Sequence, residues 1–254
     1  KKIIDSFDGK QFGNIKEDND DIFALIVLQN VGYTKDEDII KNTVTFILSK
    51  QKEDGSWDES IDMTGAAMEA LASFSKTDTL QTSPLAGGGT ILNALAKAKD
   101  YLKQNQKDAG GWDNVSSTAW AMEGILALSE KPEDWIKNNN NPLDYLASMQ
   151  DADGGTKNDD KKSKLWETAY VATALSGKTW NQIMQKFEKP KEEVKIENKI
   201  ITKKLTKKIA PQNKIISETI RTANQTESAV IRPASTSTLS AFLRFFISVL
   251  DKIL

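Results

Sequence analysis

Three stretches of the chain repeat one another, and that constrains the fold more than any other feature. They read FILSKQKEDGSW (46–57), YLKQNQKDAGGW (101–112) and YLASMQDADGGT (145–156). In each, an aromatic and an aliphatic residue (Phe46–Ile47, Tyr101–Leu102, Tyr145–Leu146) precede a glutamine, Gln51, Gln106 or Gln150. Gly55, Gly110 and Gly154 follow at one fixed distance. Trp57 and Trp112 stand two residues beyond the glycine, and Thr156 takes that place in the third copy. Three matches at fixed internal spacing make this a repeat protein. A further stretch, DGKQFG (8–13), reads as the decayed end of a fourth turn.

Between these turns lie small-residue, alanine-rich segments that align with one another. They are DIFALIVLQ from Asp21, TGAAMEALA from Thr64, TAWAMEGILAL from Thr118 and TAYVATALS from Thr168. Each opens on a side chain whose oxygen can cap a helix and continues with strong helix formers. Apolar residues on nearly every side predict four buried inner helices. The segments leading into the glutamines, such as IIKNTVTFILSK and ILNALAKAKDYLKQ, are amphipathic with lysine-rich faces, and predict three outer helices. Residues 76–90 read as an insertion that lengthens one repeat.

Inner and outer helices alternating at roughly 45–55 residues build either a solenoid or a closed α/α ring. The turn pattern [FY]-[IL]-x3-Q-x3-G-x-W closely resembles the QW motif of the squalene cyclase and terpenoid cyclase superfamily. The resemblance covers residues 1–180, is specific in the three glutamine turns and weakens at Thr156. It implies an all-α fold, an α/α toroid. Four inner and three outer helices are fewer than a full ring holds, so the expectation is an open ring or one lacking its N-terminal part. In physical terms, the glutamine is expected to bond orphan carbonyls at the outer helix end. The glycine permits the sharp exit, and the tryptophan plane covers the glutamine amide.

Composition narrows the chemistry. The 254 residues include no cysteine and no histidine. That removes disulfides, thiol nucleophiles, the usual zinc sites and imidazole acid–base catalysis. Any metal would be a hard cation on oxygen ligands. Within the superfamily, the zinc-dependent prenyltransferases, the thioester proteins and the oxidosqualene cyclases all need a cysteine or histidine, so those activities are excluded. No cofactor is expected. Hydrophobic residues at 39% and charged residues at 28% describe an ordinary soluble body. The chain lacks an initiator methionine and a signal peptide, and so reads as a mature product or a fragment.

The net charge of −2 conceals an asymmetry, with −9 on the first 185 residues and +7 on the rest. An acidic body does not suit nucleic acid. Residues 1–185 read as the repeat domain and 186–238 as a polar, basic, disordered linker. Residues 239–254, LSAFLRFFISVLDKIL, place Leu239, Phe242, Leu243, Phe246, Val249, Leu250 and Ile253 on one helical stripe. The stretch is shorter than the ~20 residues of a comfortable span. It reads as a truncated span, an interfacial helix on an anionic membrane surface or a helix docking on the body, with membrane association favoured.

Two groups of residues are candidates for chemistry. DNDD at Asp18, Asn19, Asp20 and Asp21 resembles the D-x-D-D pattern of class II terpene cyclases, in which the aspartate matching Asp20 protonates an alkene or epoxide. Such an acid has to stay protonated, and neighbouring carboxylates help it do so. The family pattern continues with Thr-Ala, whereas Ile22-Phe23 stand here. Asp21 also aligns with Thr64, Thr118 and Thr168, so a helix cap is the competing explanation. The second group is Glu69 and Glu123, which follow the aligned Met68 and Met122. They either line a central cavity with Trp120, Trp166 and Tyr170 and bind a cation or polar ligand, or bond a neighbouring helix end, or sit at a wet interface. The expected function is a non-catalytic, extracytoplasmic toroid module, a monomer that binds a small molecule or protein and is tethered near a membrane. The alternatives are a terpene cyclase acting on a polyprenyl substrate with Asp20 as general acid, and a structural spacer.

Overall fold

Gln51 and Gln106 each stand one residue past a helix, with extended backbone that stops the helix there (φ −62°, ψ 130° and φ −61°, ψ 135°). The computed structural model describes residues 2–75 and 90–189. After a short α1 (Lys2–Asp5), the inner helices are α2 (Asn19–Asn30), α4 (Ile61–Ala72), α6 (Val115–Ala127) and α8 (Lys161–Leu175). The outer helices are α3 (Asp38–Lys50), α5 (Ile91–Asn105) and a half-length α7 (Pro142–Ser148). A 3-10 turn at Pro132–Asp134 precedes α7, and a four-residue α9 (Trp180–Ile183) follows α8. Among the described residues the only β pairing is in isolated bridges, and the fold class is all-α. A compact unit spans Lys1–Lys189. Most of the insertion (76–89), most of the linker and the apolar stretch 239–254 lie outside the described residues.

The inner helices pack in chain order, α2 on α4, α4 on α6 and α6 on α8, while α3, α5 and α7 lie against α2, α4 and α6. The centre of the core is the α4–α6 contact. A Cβ at Gly65 would sit 2.2 Å from the Trp120 carbonyl oxygen, so only glycine lets the two backbones come this close. Residues 64–72 of α4 and 117–125 of α6 are all buried. The fourth inner helix departs from expectation. Only Thr173 and Ala174 of α8 are buried, because α6 is the only inner helix packed against it among the described residues.

The aligned threonines are not helix caps. Ser60, Asn114 and Asp160 cap α4, α6 and α8, accepting from the N–H groups of Met63, Ser117 and Ser163 at 3.3, 2.9 and 2.7 Å. Thr64, Thr118 and Thr168 lie inside the helices. Each hydroxyl donates to the carbonyl four residues back, at 2.6, 2.9 and 2.6 Å. Each also accepts a backbone N–H from the preceding turn, of Trp57, Trp112 and Thr156, at 3.1, 2.9 and 3.1 Å. Asp21 holds the corresponding place in α2, its Oδ1 accepting from the Phe12 N–H at 2.9 Å. Phe12 therefore stands where Trp57 and Trp112 stand, and DGKQFG is the fourth turn.

The turn motif works in the opposite sense to the expected one. The tryptophans, rather than the glutamines, satisfy the helix-end carbonyls: Trp57 Nε1 donates to the Ile47 oxygen at 2.7 Å and Trp112 Nε1 to that of Leu102 at 2.9 Å. The glutamines reach forward. Gln51 Nε2 donates to the Gly55 carbonyl (2.9 Å) and to Ala94 in the next outer helix (2.8 Å). Gln106 Nε2 donates to Gly110 (2.8 Å) and to Trp135 (2.7 Å). Gly55 and Gly110 adopt φ of 91° and 89°, and a Cβ there would meet the carbonyl oxygens of Lys97 and Asn141 at 2.3 and 2.2 Å. In the third copy, Gln150 Nε2 donates to Gly154 alone (3.1 Å), and the space around Gly154 is open. The motif is thus a tie to the next outer element, and it decays where no such element follows among the described residues.

Two outcomes are expected from these contacts. Gln106→Ala removes both donors from a buried site and is expected to lower unfolding stability by about 1–3 kcal/mol. Gln150→Ala, at an exposed single bond, is expected to leave the denaturation midpoint nearly unchanged; equal losses in chemical denaturation would contradict the tie. For Asp21, burial is the main influence and the charges of Asp20 and Asp8 add to it, pushing the carboxyl up to about 7 against the bond from Phe12. A raised acid pKa stabilises the fold below the unfolded value near 4 and loses that contribution as pH rises through 7. Asp21→Thr, which supplies the side chain of the other three turns, is expected to gain on the order of 2 kcal/mol over the parent at pH 8 and little at pH 4. The check is the difference between the two proteins' unfolding free energies across that range.

Candidate functional site

The DNDD acids gather at the start of α2. Asp18 precedes the first turn, and burial raises its pKa. Asp20 Oδ2 accepts from the Asn14 backbone N–H at 3.2 Å. Gly13 permits that approach, since a Cβ there would lie 2.0 Å from the same oxygen. Asp21 is completely buried against the turn that holds Phe12, and its Oδ2 has no hydrogen-bond partner. Of the three acids, Asp21 is the one carried up to about 7.

Glu69 and Glu123 are the ninth residues of α4 and α6, and they are 2% and 1% exposed. Glu69 Oε1 accepts from the Asn181 N–H, at the start of α9, at 2.8 Å. The neighbouring-helix-end alternative therefore describes Glu69. Burial raises Glu69 to about 7, while hydrogen bonding from residues 179–181 works the other way. Burial, and then the charge of Glu69, raise Glu123 to about 9, with the Trp180 N–H opposing. Glu69 Oε2 and both Glu123 oxygens lack a hydrogen-bond partner. Burial disfavours the charged form of both groups, and a charge on Glu69 disfavours one on Glu123.

The aromatic candidates do converge. Phe23 meets Trp120 edge-on with ring centroids 5.7 Å apart, Trp120 meets Tyr170 at 5.7 Å, and Trp166 meets Tyr170 at 6.2 Å. Trp180, which sequence reasoning did not include, fills the group. It lies 6.3 Å from Trp120 and 6.4 Å from Tyr170, and is 4% exposed. The chain around it runs from the end of α8 back to the end of α2. Asn30 donates its amide to Asn181, and the Asn30 carbonyl accepts from the Phe187 N–H at 2.7 Å. Lys189 pairs with Glu37 and lies 4.4 Å from the Tyr33 ring centre. Residues 186–189, expected in the linker, are thus bound to the repeat unit. The one available signal was Trp180 itself, an aromatic side chain at the edge of a polar region.

These groups do not form one site. Glu69 and Glu123 stand five residues beyond Thr64 and Thr118, whose position Asp21 shares, about 7.5 Å further along the helix axis. The DNDD acids and the glutamate pair therefore sit at different levels. Two surface grooves flank the Pro132–Asp134 turn, one of about 670 Å³ beside Lys103, Glu130 and Trp135, the other of about 520 Å³ beside Met122, Leu143 and Leu175. Neither contains a DNDD acid or the glutamate pair. Among the described residues, no three acidic side chains group together as a metal site would require.

Residues 20–121 match the family model of the squalene-hopene cyclase C-terminal domain. No curated protein and no solved structure matches the chain. The matched segment begins at Asp20 within DNDD, runs through α2, α3, α4 and α5, and ends at Ala121 inside α6. It contains both complete glutamine turns, Gln51 to Trp57 and Gln106 to Trp112. This match falls on the helices and turns that build the core, and it supports a squalene cyclase/terpenoid cyclase-like family for residues 20–121.

Proposed function

We propose that the chain is a non-catalytic α/α-toroid module that binds a ligand or partner outside the cytoplasm and is tethered near a membrane by its C-terminal stretch. Alternating inner and outer helices support the toroid, of which the described helices would form part of the ring. The observation that carries the non-catalytic reading is the position that Asp21 shares with Thr64, Thr118 and Thr168. A carboxyl group there receives a turn N–H just as the three hydroxyls do, which gives the DNDD sequence a structural reason to exist. The aromatic centre points the same way. In a polyene cyclase aromatic faces stabilise cationic intermediates; here Trp180 of the chain itself packs against Trp120 and Tyr170.

A second reading, a terpene cyclase acting on a polyprenyl substrate with Asp20 as general acid, draws support from the family match beginning at Asp20. Asp18 and Asp21, both raised by burial, would flank that acid. Incubation of the protein with squalene or a linear polyprenyl diphosphate separates the two readings. No cyclised product is expected from the parent or from Asp20→Asn. Product from the parent that disappears in Asp20→Asn would establish the cyclase instead.

The tether rests on residues 239–254, where Arg244 is costly at a bilayer centre and acceptable at an interface. Among the described residues no helix is long and apolar enough to cross a membrane. The lysines of residues 191–214 would add attraction for anionic lipid of about 1 kcal/mol each near the surface. The full chain is expected to sediment with anionic vesicles, less so in high salt, and a chain ending at Lys189 is expected to stay in the supernatant. A full chain left in the supernatant at low salt would overturn the tether.

A further inference from the structure

Residues 178–189 lie across the ends of three successive inner helices. Trp180 packs its ring against Trp120 on α6, and Asn181 presents its backbone N–H to Glu69 on α4. Asn181 and Phe187 bond to Asn30 at the end of α2. Beyond that, Gly32 makes room for the Lys189 backbone, since a Cβ there would be 2.9 Å from the Lys189 nitrogen. We propose that this segment is a strap, held closed by the protonated Glu69–Glu123 pair and released when the pair loses its protons.

What water can reach decides the state of the pair. The pair is almost fully buried, and three of its four carboxylate oxygens have no hydrogen-bond partner. An acid without its proton in that place needs donors or solvent, and two such charges also repel. The helices that carry the glutamates are packed backbone to backbone at Gly65 and Gly124, which leaves no room for water between them there. The strap can admit it, since it is tied by a few bonds and by the packing of one indole. Lifting it hydrates both carboxylates at once and takes Trp180 away from Trp120 and Tyr170.

The other groups around the strap do not account for such a change near neutral pH. From α2 the facing side chain is Asn30, which does not titrate. From α8 it is Tyr170, whose pKa burial raises. Ahead of α3, Glu37 is pushed up by burial but brought below the usual carboxylate range by its bond to Lys189, so that ion pair persists. Tyr33 carries Lys189 over its ring. The strap's own charges are Lys178, Lys186, Glu188 and Lys189. Glu69 and Glu123 are the groups placed to change state beneath it.

The test is amide hydrogen exchange on the full chain between pH 6 and 9, expressed as protection relative to the unstructured chain at each pH. Protection of the Asn181 and Phe187 amides is expected to fall about tenfold or more over that range, while the Met68 and Met122 amides in α4 and α6 keep theirs. In Glu69→Gln/Glu123→Gln the strap is expected to stay protected to pH 9, because glutamine imitates the neutral acid. Should the double variant not fold, Glu123→Gln alone removes the mutual repulsion and is expected to move the loss to higher pH. Strap protection independent of pH, the same loss in the variants, or loss together with Met68 and Met122 would each overturn the proposal. The strap is argued from packing alone, so these outcomes stand whether or not the aromatic centre binds a ligand.

Discussion

The structure depends on how each outer helix is fastened to the inner helix that follows it. The fastening is a buried polar contact made twice over. An indole N–H closes a carbonyl at the end of the outer helix, and the backbone N–H of the same residue is received by a hydroxyl inside the next inner helix. Without those partners a buried donor and a buried acceptor would be stranded, and each costs about 1–3 kcal/mol when left unmade. The glutamine adds a tie to the following outer element. Chain order, helix order and the spacing of the inner layer all follow from this one arrangement.

The same arrangement explains why acids appear in so dry a core. At α2 the fourth turn has lost its tryptophan to Phe12 and its threonine to Asp21. A neutral carboxyl group can accept as the threonine hydroxyl does and still have a proton to donate, so the replacement works while the acid stays protonated. Glu69 and Glu123 are a different case. They take equal places on adjacent helices, and Glu69 receives the backbone N–H of Asn181 as the chain passes over it. Asp21, Glu69 and Glu123 are thus acids whose charge the fold discourages, by burial in the first instance, as it also does for Asp18.

Functionally, the family match and the site geometry bear on different levels. The match identifies the repeat architecture over residues 20–121. The geometry puts the glutamate pair five residues, about 7.5 Å, further along the inner helices than the position of Asp21 and puts a tryptophan of the chain against the aromatic faces.

The sequence by itself determined the repeat, the all-α class, the alternation of four inner and three outer helices and the positions of the turns. Those features rest on local rules: periodicity, glycine at positive φ and aromatic–glutamine spacing are written within a dozen residues. The convergence of Trp120, Trp166 and Tyr170 was legible for the same reason, through alignment of the inner segments. Only the tertiary structure decided what each motif residue bonds. That tryptophan rather than glutamine closes the helix end, and that the threonines receive a turn instead of capping a helix, depends on three-dimensional directions that spacing does not encode. Trp180 showed only as an aromatic residue at the edge of a polar region, and its neighbours Asn181 and Asn30 gave no signal. Their meeting joins residues some 150 positions apart, and such contacts are settled by packing and by the need to pair buried polar groups, neither of which leaves a local pattern to read.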